Sequence, residues 1–285
     1  MTSGRAGRAS LQVTISEHEI EDGHSWTVCV NVCDLSEADD ATVAHMVQAV
    51  RDAYGEQQIR QEVMTPDPAV AESFDLDAII AGFRLGLPDP SAEATKPANL
   101  RNYRSETSEF FARETLQIIF NIDTPPTLHA SKGNALQPLL GYDGWGLLDS
   151  DNEKKALVLI QVKGSDDKTS PPQVSQALAT ECAQIKQDTD KLARALSASL
   201  MCVRGTPLAA HLLHMLEQVG KGMLPELIVA PVIVRGNVPA QMSDLEPIRL
   251  AASNYLPVLA KGVTVTLGAS LEEFGREVMS RARQA

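Results

Sequence analysis

The residues whose types and spacing could do chemistry lie between Gly141 and Lys163. The stretch opens Gly141-Tyr142-Asp143-Gly144-Trp145 and crosses a polar turn at 149–155. It then runs through Ala156-Leu157-Val158-Leu159-Ile160 into Gln161-Val162-Lys163. Residues 156–163 are apolar up to Gln161, which reads as a buried central strand. Residues 139–148 read as the preceding strand, with Asp143 near its middle, and the polar turn joins the two as a hairpin. Gln161 and Lys163 are two apart and therefore share a face, and in a hairpin Asp143 lies opposite them. A charge at the end of an apolar strand is costly to bury unless it is paired or liganded. A facing Asp, with the Gln amide oxygen beside it, offers the oxygen donors that magnesium prefers. A metal held there would acidify a bound water and stabilise charge on a phosphoryl oxygen. The lysine would orient that water or neutralise the developing charge. Taken alone, these three residues also describe an ordinary surface salt bridge; the elements around them distinguish the two.

Upstream, residues 105–120 read as an amphipathic helix with apolar positions at Phe110, Phe111, Leu116, Ile118, Ile119 and Phe120, and with Ser105, Ser108 and Glu109 as N-terminal capping options. Downstream come a polar loop, a long helix from about 172 to 200, and a second helical stretch at 206–220. A strand follows at 227–234, interrupted by Pro231, then a strand at 263–267 and an amphipathic helix at 270–284. The expected order is helix, two or three strands, helix, strand, then strand and helix.

With Asp143 and Gln161-Val162-Lys163 in this setting, residues 101–267 resemble the PD-(D/E)XK superfamily of nucleases, the restriction-endonuclease-like fold. The similarity is strongest to its Gln-x-Lys variants, such as the Mrr-like restriction nucleases. A Ser-Glu helix followed by a Gly-x-Asp turn is also distantly similar to the nuclease subunit of Hachiman-type defence systems. The resemblance implies an α/β fold with an αβββαβ core, a mixed sheet flanked by helices. It implies an endonuclease dependent on Mg2+ or Mn2+ that hydrolyses DNA phosphodiester bonds in bacterial anti-phage defence or restriction. Such nucleases work beside a helicase or ATPase, and because no ATP-binding motif is visible here, that motor would be a separate subunit. In the Gln-x-Lys variants a carboxylate missing from the strand comes from the first helix. This implies Glu109 as a metal ligand with Asp143 and Gln161, with Glu114 or Glu106 as the alternatives. The chain departs from the commoner pattern in having no Asp or Glu at position 161.

Charge divides the 285 residues unevenly. The net charge is −12, which by itself argues against a nucleic-acid binder. Residues 1–100 hold 6 Lys+Arg against 17 Asp+Glu, whereas residues 101–285 hold 19 against 20 and are near neutral. Aromatic residues at 4% argue against a base-stacking platform. Strands are expected at 11–15 and 25–33, helices at 39–54, with Asp39 and Asp40 at its start, and at 75–84. A Pro-rich boundary follows at 87–97. The expected division is a small acidic α/β accessory domain at 1–98 and a nuclease-like domain at 99–285. The acidic part would cover the site, mimic DNA toward a partner, or simply be solvated.

Other features add less. Four cysteines without zinc spacing suggest reduced thiols in a cytoplasmic protein, and no stretch reads as a secretory or bilayer-spanning segment. His211 and His214 lack an accompanying metalloprotease glutamate, and Lys132-Gly133 lacks the glycines of a phosphate loop. Gly164-Ser165 and Asp166-Asp167-Lys168 form a loop that could approach a phosphate, with Ser165 a minor site candidate. Helices 172–200 and 206–220 suit a homodimer. Two other functions remain: a catalytically inactive nuclease fold used for binding or assembly, and an interaction protein engaging basic partners through its acidic N-terminal part.

Overall fold

A computed structural model of the chain describes residues 11–64, 75–97, 101–125, 142–150 and 155–284. The chain is α/β. Its strands are β1 (Val13–Glu21), β2 (His24–Asn31), β3 (Gly144–Asp149), β4 (Lys155–Ser165), β5 (Leu227–Arg235) and β6 (Leu259–Thr266). They form one mixed sheet in the order β1-β2-β6-β5-β4-β3. The four central strands run parallel, and β1 and β3 close the two edges antiparallel. The described helices are α1 (Ala41–Tyr54), α2 (Glu56–Met64), α3 (Leu76–Leu85), α4 (Pro90–Glu93), α5 (Asn102–Phe120), α6 (Val174–Gln184), α7 (Thr189–Cys202), α8 (Leu208–Gly220), α9 (Glu246–Ala251) and α10 (Leu271–Arg283).

The alternation of β4 explains the two layers. Ala156, Val158, Ile160 and Val162 enter a core shared with α1, α5 and α10, while Leu157 and Leu159 enter a second core under α6 to α9. A strand buried on both faces needs this unbroken apolar run. Each such side chain stabilises the fold by about 1.5–3 kcal/mol when fully buried. β5 is likewise buried at every position.

Pro231 does not interrupt β5, contrary to the expectation from sequence. Its pairing with β4 is continuous, with Pro231 opposite Gln161. The pairing with β6 passes from Val229↔Ala260 to Val232↔Val263, so the missing proline N–H falls on that side. The long helix expected over 172–200 is two helices. α6 gives way to a 3-10 turn at Ile185–Gln187, and Asp188 caps α7 by accepting from Lys191 N at 2.7 Å. α5 begins earlier than expected, at Asn102. Ser105 and Ser108 lie inside it and donate back to Asn102 O and Arg104 O at 3.2 and 2.9 Å, so they do not cap it.

The boundary expected at residue 98 does not separate two sheets. β2 pairs in parallel with β6, and Asn31 Nδ2 donates to Leu267 O at 2.9 Å. Val43, Met46 and Val50 of α1 share a core with Phe111 of α5 and Phe274 of α10. Arg51 donates to the carbonyls of Arg281, Ala282 and Gln284, and Arg84 donates to that of Gln284. Between these arginines sits buried Glu56, bonded by Arg84 at 3.1 Å and Arg60 at 2.7 Å. Burial alone would raise its carboxyl pKa, but the Arg84 and Arg60 hydrogen bonds outweigh it and hold the group below the usual range. Among the described residues no helix is long and apolar enough to cross a membrane.

Candidate active site

β3 sets the site by stopping short. It pairs with β4 only from Gly144↔Ile160 to Asp149↔Lys155, so β4 from Gln161 onward has no β3 partner along that edge. Asp143 therefore stands just before the strand, not at its middle; residues 139–141 of the expected strand and 151–154 of the turn lie outside the described residues. Asp143 closes the gap itself. Its backbone N donates to Ile160 O at 3.1 Å, and its Oδ2 accepts from Val162 N at 2.7 Å. A charge-assisted bond of this length holds the carboxylate at the strand edge. Buried Tyr142 and Trp145 on either side anchor the backbone in the core under α6 to α9. Burial, with a smaller contribution from Asp188, pushes the Tyr142 phenol up to about 12.

Gln161 is buried and Lys163 half-buried, both on the face that α6 covers. Lys163 Nζ lies 2.8 Å from Glu181 Oε1 on α6. The adjoining Cys182 thiol senses the whole group. Burial raises its pKa, the Glu181 and Asp143 charges add to the rise, and the Lys163 charge opposes it. The structure thus pairs Lys163 with Glu181 beside Cys182, a thiol whose pKa the Asp143 charge also raises. Glu181 did not emerge from the motif search, although it is the one charged residue in the sequence of α6.

Glu109 approaches the same length of β4 from the opposite face. With Arg104, Ser105 and Ser108 it lines a cleft of about 80 Å³ closed by Val162 and Gly164. Val162, bonded to Asp143, is thus a wall of the Glu109 cleft. The other helix glutamates have other partners. Five residues beyond Glu109 is about 140° around a helix, and Glu114 Oε2 meets His45 Nε2 of α1 at 2.8 Å. Glu106 is buried and accepts from Tyr54 Oη at 2.6 Å. Gly164 is tightly packed. A Cβ there would lie 2.9 Å from Leu271 Cδ1 and 3.1 Å from Ser108 Oγ.

The loop after β4 is held from below. Ser165 Oγ accepts from Asp167 N at 3.1 Å, and Asp166 Oδ1 accepts from Leu271 N at the start of α10. Fully buried Arg235 donates through Nη2 to Asp167 O and Thr169 O at 2.6 and 3.0 Å. Its Nε lies 3.6 Å from buried Asp244, which also accepts from Ser170 Oγ and Thr264 Oγ1. Ser165 is therefore a turn-forming residue, Asp166 ties the loop to α10 and to Arg104 of α5, and Asp167 Oδ2 accepts from Gln173 N at 3.2 Å.

The remaining candidates do not converge. Cys29 and Cys33 are pushed up to about 12, chiefly by burial, which removes them as thiolate ligands near neutrality. His214 is exposed beside Glu217. Lys132-Gly133 lies outside the described residues. Among the described residues, no three His, Cys, Asp or Glu side chains are grouped as metal ligands. The donors around β4 (Asp143, Gln161, Glu109 and Glu181) are all oxygens, a set that fits a hard cation such as Mg2+ or Mn2+ better than zinc. No protein-family model matches the chain, and no curated protein matches it.

Proposed function

We propose that the chain is a divalent-metal-dependent nuclease that hydrolyses DNA phosphodiester bonds on a restriction-endonuclease-like core. The observation that carries this reading is the Asp143 carboxylate fixed on Val162 N at the open edge of β4, between the positions of Gln161 and Lys163. The order α5, β3, β4, α6, β5 supports it. The antiparallel bridge Asp123↔Leu147 stands where the first of three strands would be. The end of a parallel strand is also where open α/β sheets bind ligands.

Asp143 would hold the metal at the strand edge, with Gln161 and Glu181 completing it on the α6 face or Glu109 completing it on the α5 face. When bound, the metal would acidify a water and neutralise phosphoryl charge. Lys163 donates to a phosphate oxygen or to the attacking water once it leaves Glu181. Both side chains of that pair are about a third exposed, at 29% and 38%. Such a pair is worth about 0–1 kcal/mol, so a phosphate can displace Glu181 at small cost. The Arg235 network keeps the loop beyond Lys163 from collapsing onto the site. A role in anti-phage defence or restriction, with a separate motor subunit, belongs to the same proposal.

The test is incubation of the protein with supercoiled, linear and single-stranded DNA and Mg2+ or Mn2+, beside Asp143→Ala, Lys163→Ala and Glu181→Ala. Cleavage that needs metal and disappears in the first two variants supports the reading. A second reading rests on the amide at 161 and the Lys163–Glu181 pair: a nuclease fold that binds without cutting. Metal-independent DNA binding with no cleavage in either metal would favour it and overturn the first.

A further inference from the structure

At the other end of the sheet, on the α5 side, lies a cavity of about 340 Å³. It sits where α5 ends while the sheet continues beneath. Ile119 and Phe120 of the last helical turn form one wall, and Ile15 and Ile20 of edge strand β1 form the other. Both β1 isoleucines are exposed, Ile20 at 73%. Lys261 of β6 reaches into this space, paired in register with Ser25 of β2, which also lines it. Its Nζ stands 4.9 Å from the Phe120 ring centroid. Among the described residues Lys261 makes no ion pair, and burial lowers its pKa. His18, beside it, spends Nδ1 on Thr27 Oγ1 at 2.9 Å.

Among the described residues, this half-buried ammonium with a ring below it and aliphatic walls lacks one thing, a counter-anion. The walls are apolar, so the anion that fits carries its charge at one end and hydrocarbon at the other. The volume suits a small molecule, near the lower limit of ordinary ligand pockets. We propose that this cavity binds a small amphipathic monocarboxylate, its carboxylate on Lys261 and its aliphatic or aromatic body between Ile15, Ile20, Ile119 and Phe120. The site is independent of the nuclease reading. Lys163 aligns through Ile233 with Thr264, so Lys261 lies three residues back along β6, two strands across and on the other face.

The test is isothermal titration of the full chain with phenylacetate and with octanoate, using phenylacetamide as the uncharged control. One saturable site per chain is expected for at least one acid, with Kd of about 1 mM or tighter. Lys261→Met should weaken it at least about tenfold, and the amide should bind at least about tenfold more weakly than phenylacetate. Ile20→Asp, at an exposed position, should weaken it similarly by placing a competing carboxylate in the cavity, and it keeps the test decisive if Lys261→Met misfolds. The proposal is overturned if neither acid saturates below about 10 mM. It is equally overturned if the amide matches the acid or if the folded variants bind as wild type does.

Discussion

Lys163 and Lys261 stand on one sheet, at opposite ends and on opposite faces. Lys163 lies near the end of β4, on the α6 side, 2.8 Å from Glu181 and one residue beyond Val162, whose N–H holds Asp143. Lys261 lies near the start of β6, on the α5 side, above an aromatic ring and among isoleucines. The first lysine is set among carboxylates at an open strand edge, an arrangement suited to exchanging one anion for another. The second is desolvated with no anion among the described residues, an arrangement suited to acquiring one. The same residue type on the same sheet thus acquires two chemistries, decided by the neighbours that the flanking helices bring.

Four predictions break or sharpen this contrast. The largest effect is expected from Asp143→Ala and Lys163→Ala, each lowering metal-dependent plasmid cleavage at least about a thousandfold. Lys261→Met should stay within about twofold of wild type in the same assay, because its cavity and the cleft at β4 share no lining residue. Equal losses at both lysines would erase the distinction. Next comes the support under the Lys163 loop. Arg235→Met leaves Asp244 as an uncompensated buried charge and should cost about 3 kcal/mol in urea denaturation.

A carboxylate counterpart to Lys163 is Glu56, which is buried among arginines. Glu56→Gln should cost about 2 kcal/mol. The Glu56 pKa is depressed in the folded chain, so its contribution is complete above the unfolded value of about 4.3. It is lost as pH falls through the folded value. Denaturation midpoints followed from neutral pH downward should therefore converge for wild type and variant; a constant gap would refute the assignment. The smallest effect is at Lys261. Its pKa is lowered by burial, so the folded chain carries a penalty below the folded value that vanishes above the unfolded value of about 10.4. Lys261→Met should stabilise the apo protein near neutrality by about 0.5 kcal/mol or less, since the group is half in solvent. That gain should fade in alkaline titration.

What the sequence made legible was local. The period of β4 exposed Gln161 and Lys163 as a same-face pair, and the polar turn brought Asp143 to them, because strand alternation and hairpin closure act over a few residues. The Asp40 cap of α1 and the apolar stripes of α5 and α10 were readable for the same reason, whereas the start of α5 was not. Glu181 was not, since it joins Lys163 only after α6 folds back across β4, and Lys261 fell outside the strand expected at 263–267, which begins earlier, at Leu259. The acidity of residues 1–100 suggested a separate unit. Yet β1 and β2 join the same sheet as β6, and parallel pairing between segments so far apart leaves no local trace in composition.

The β2–β6 junction also bears on how the protein is made. Asn31 and its partner Leu267 are 236 positions apart. At roughly 5–20 residues per second, tens of seconds separate their emergence from a ribosome. Throughout that interval the β1–β2 hairpin has one unfilled edge, and Trp26, Val28 and Cys29, all buried in the finished sheet, have no β6 to pack beside. The nascent hairpin is thus a natural client for a holding chaperone until β6 arrives.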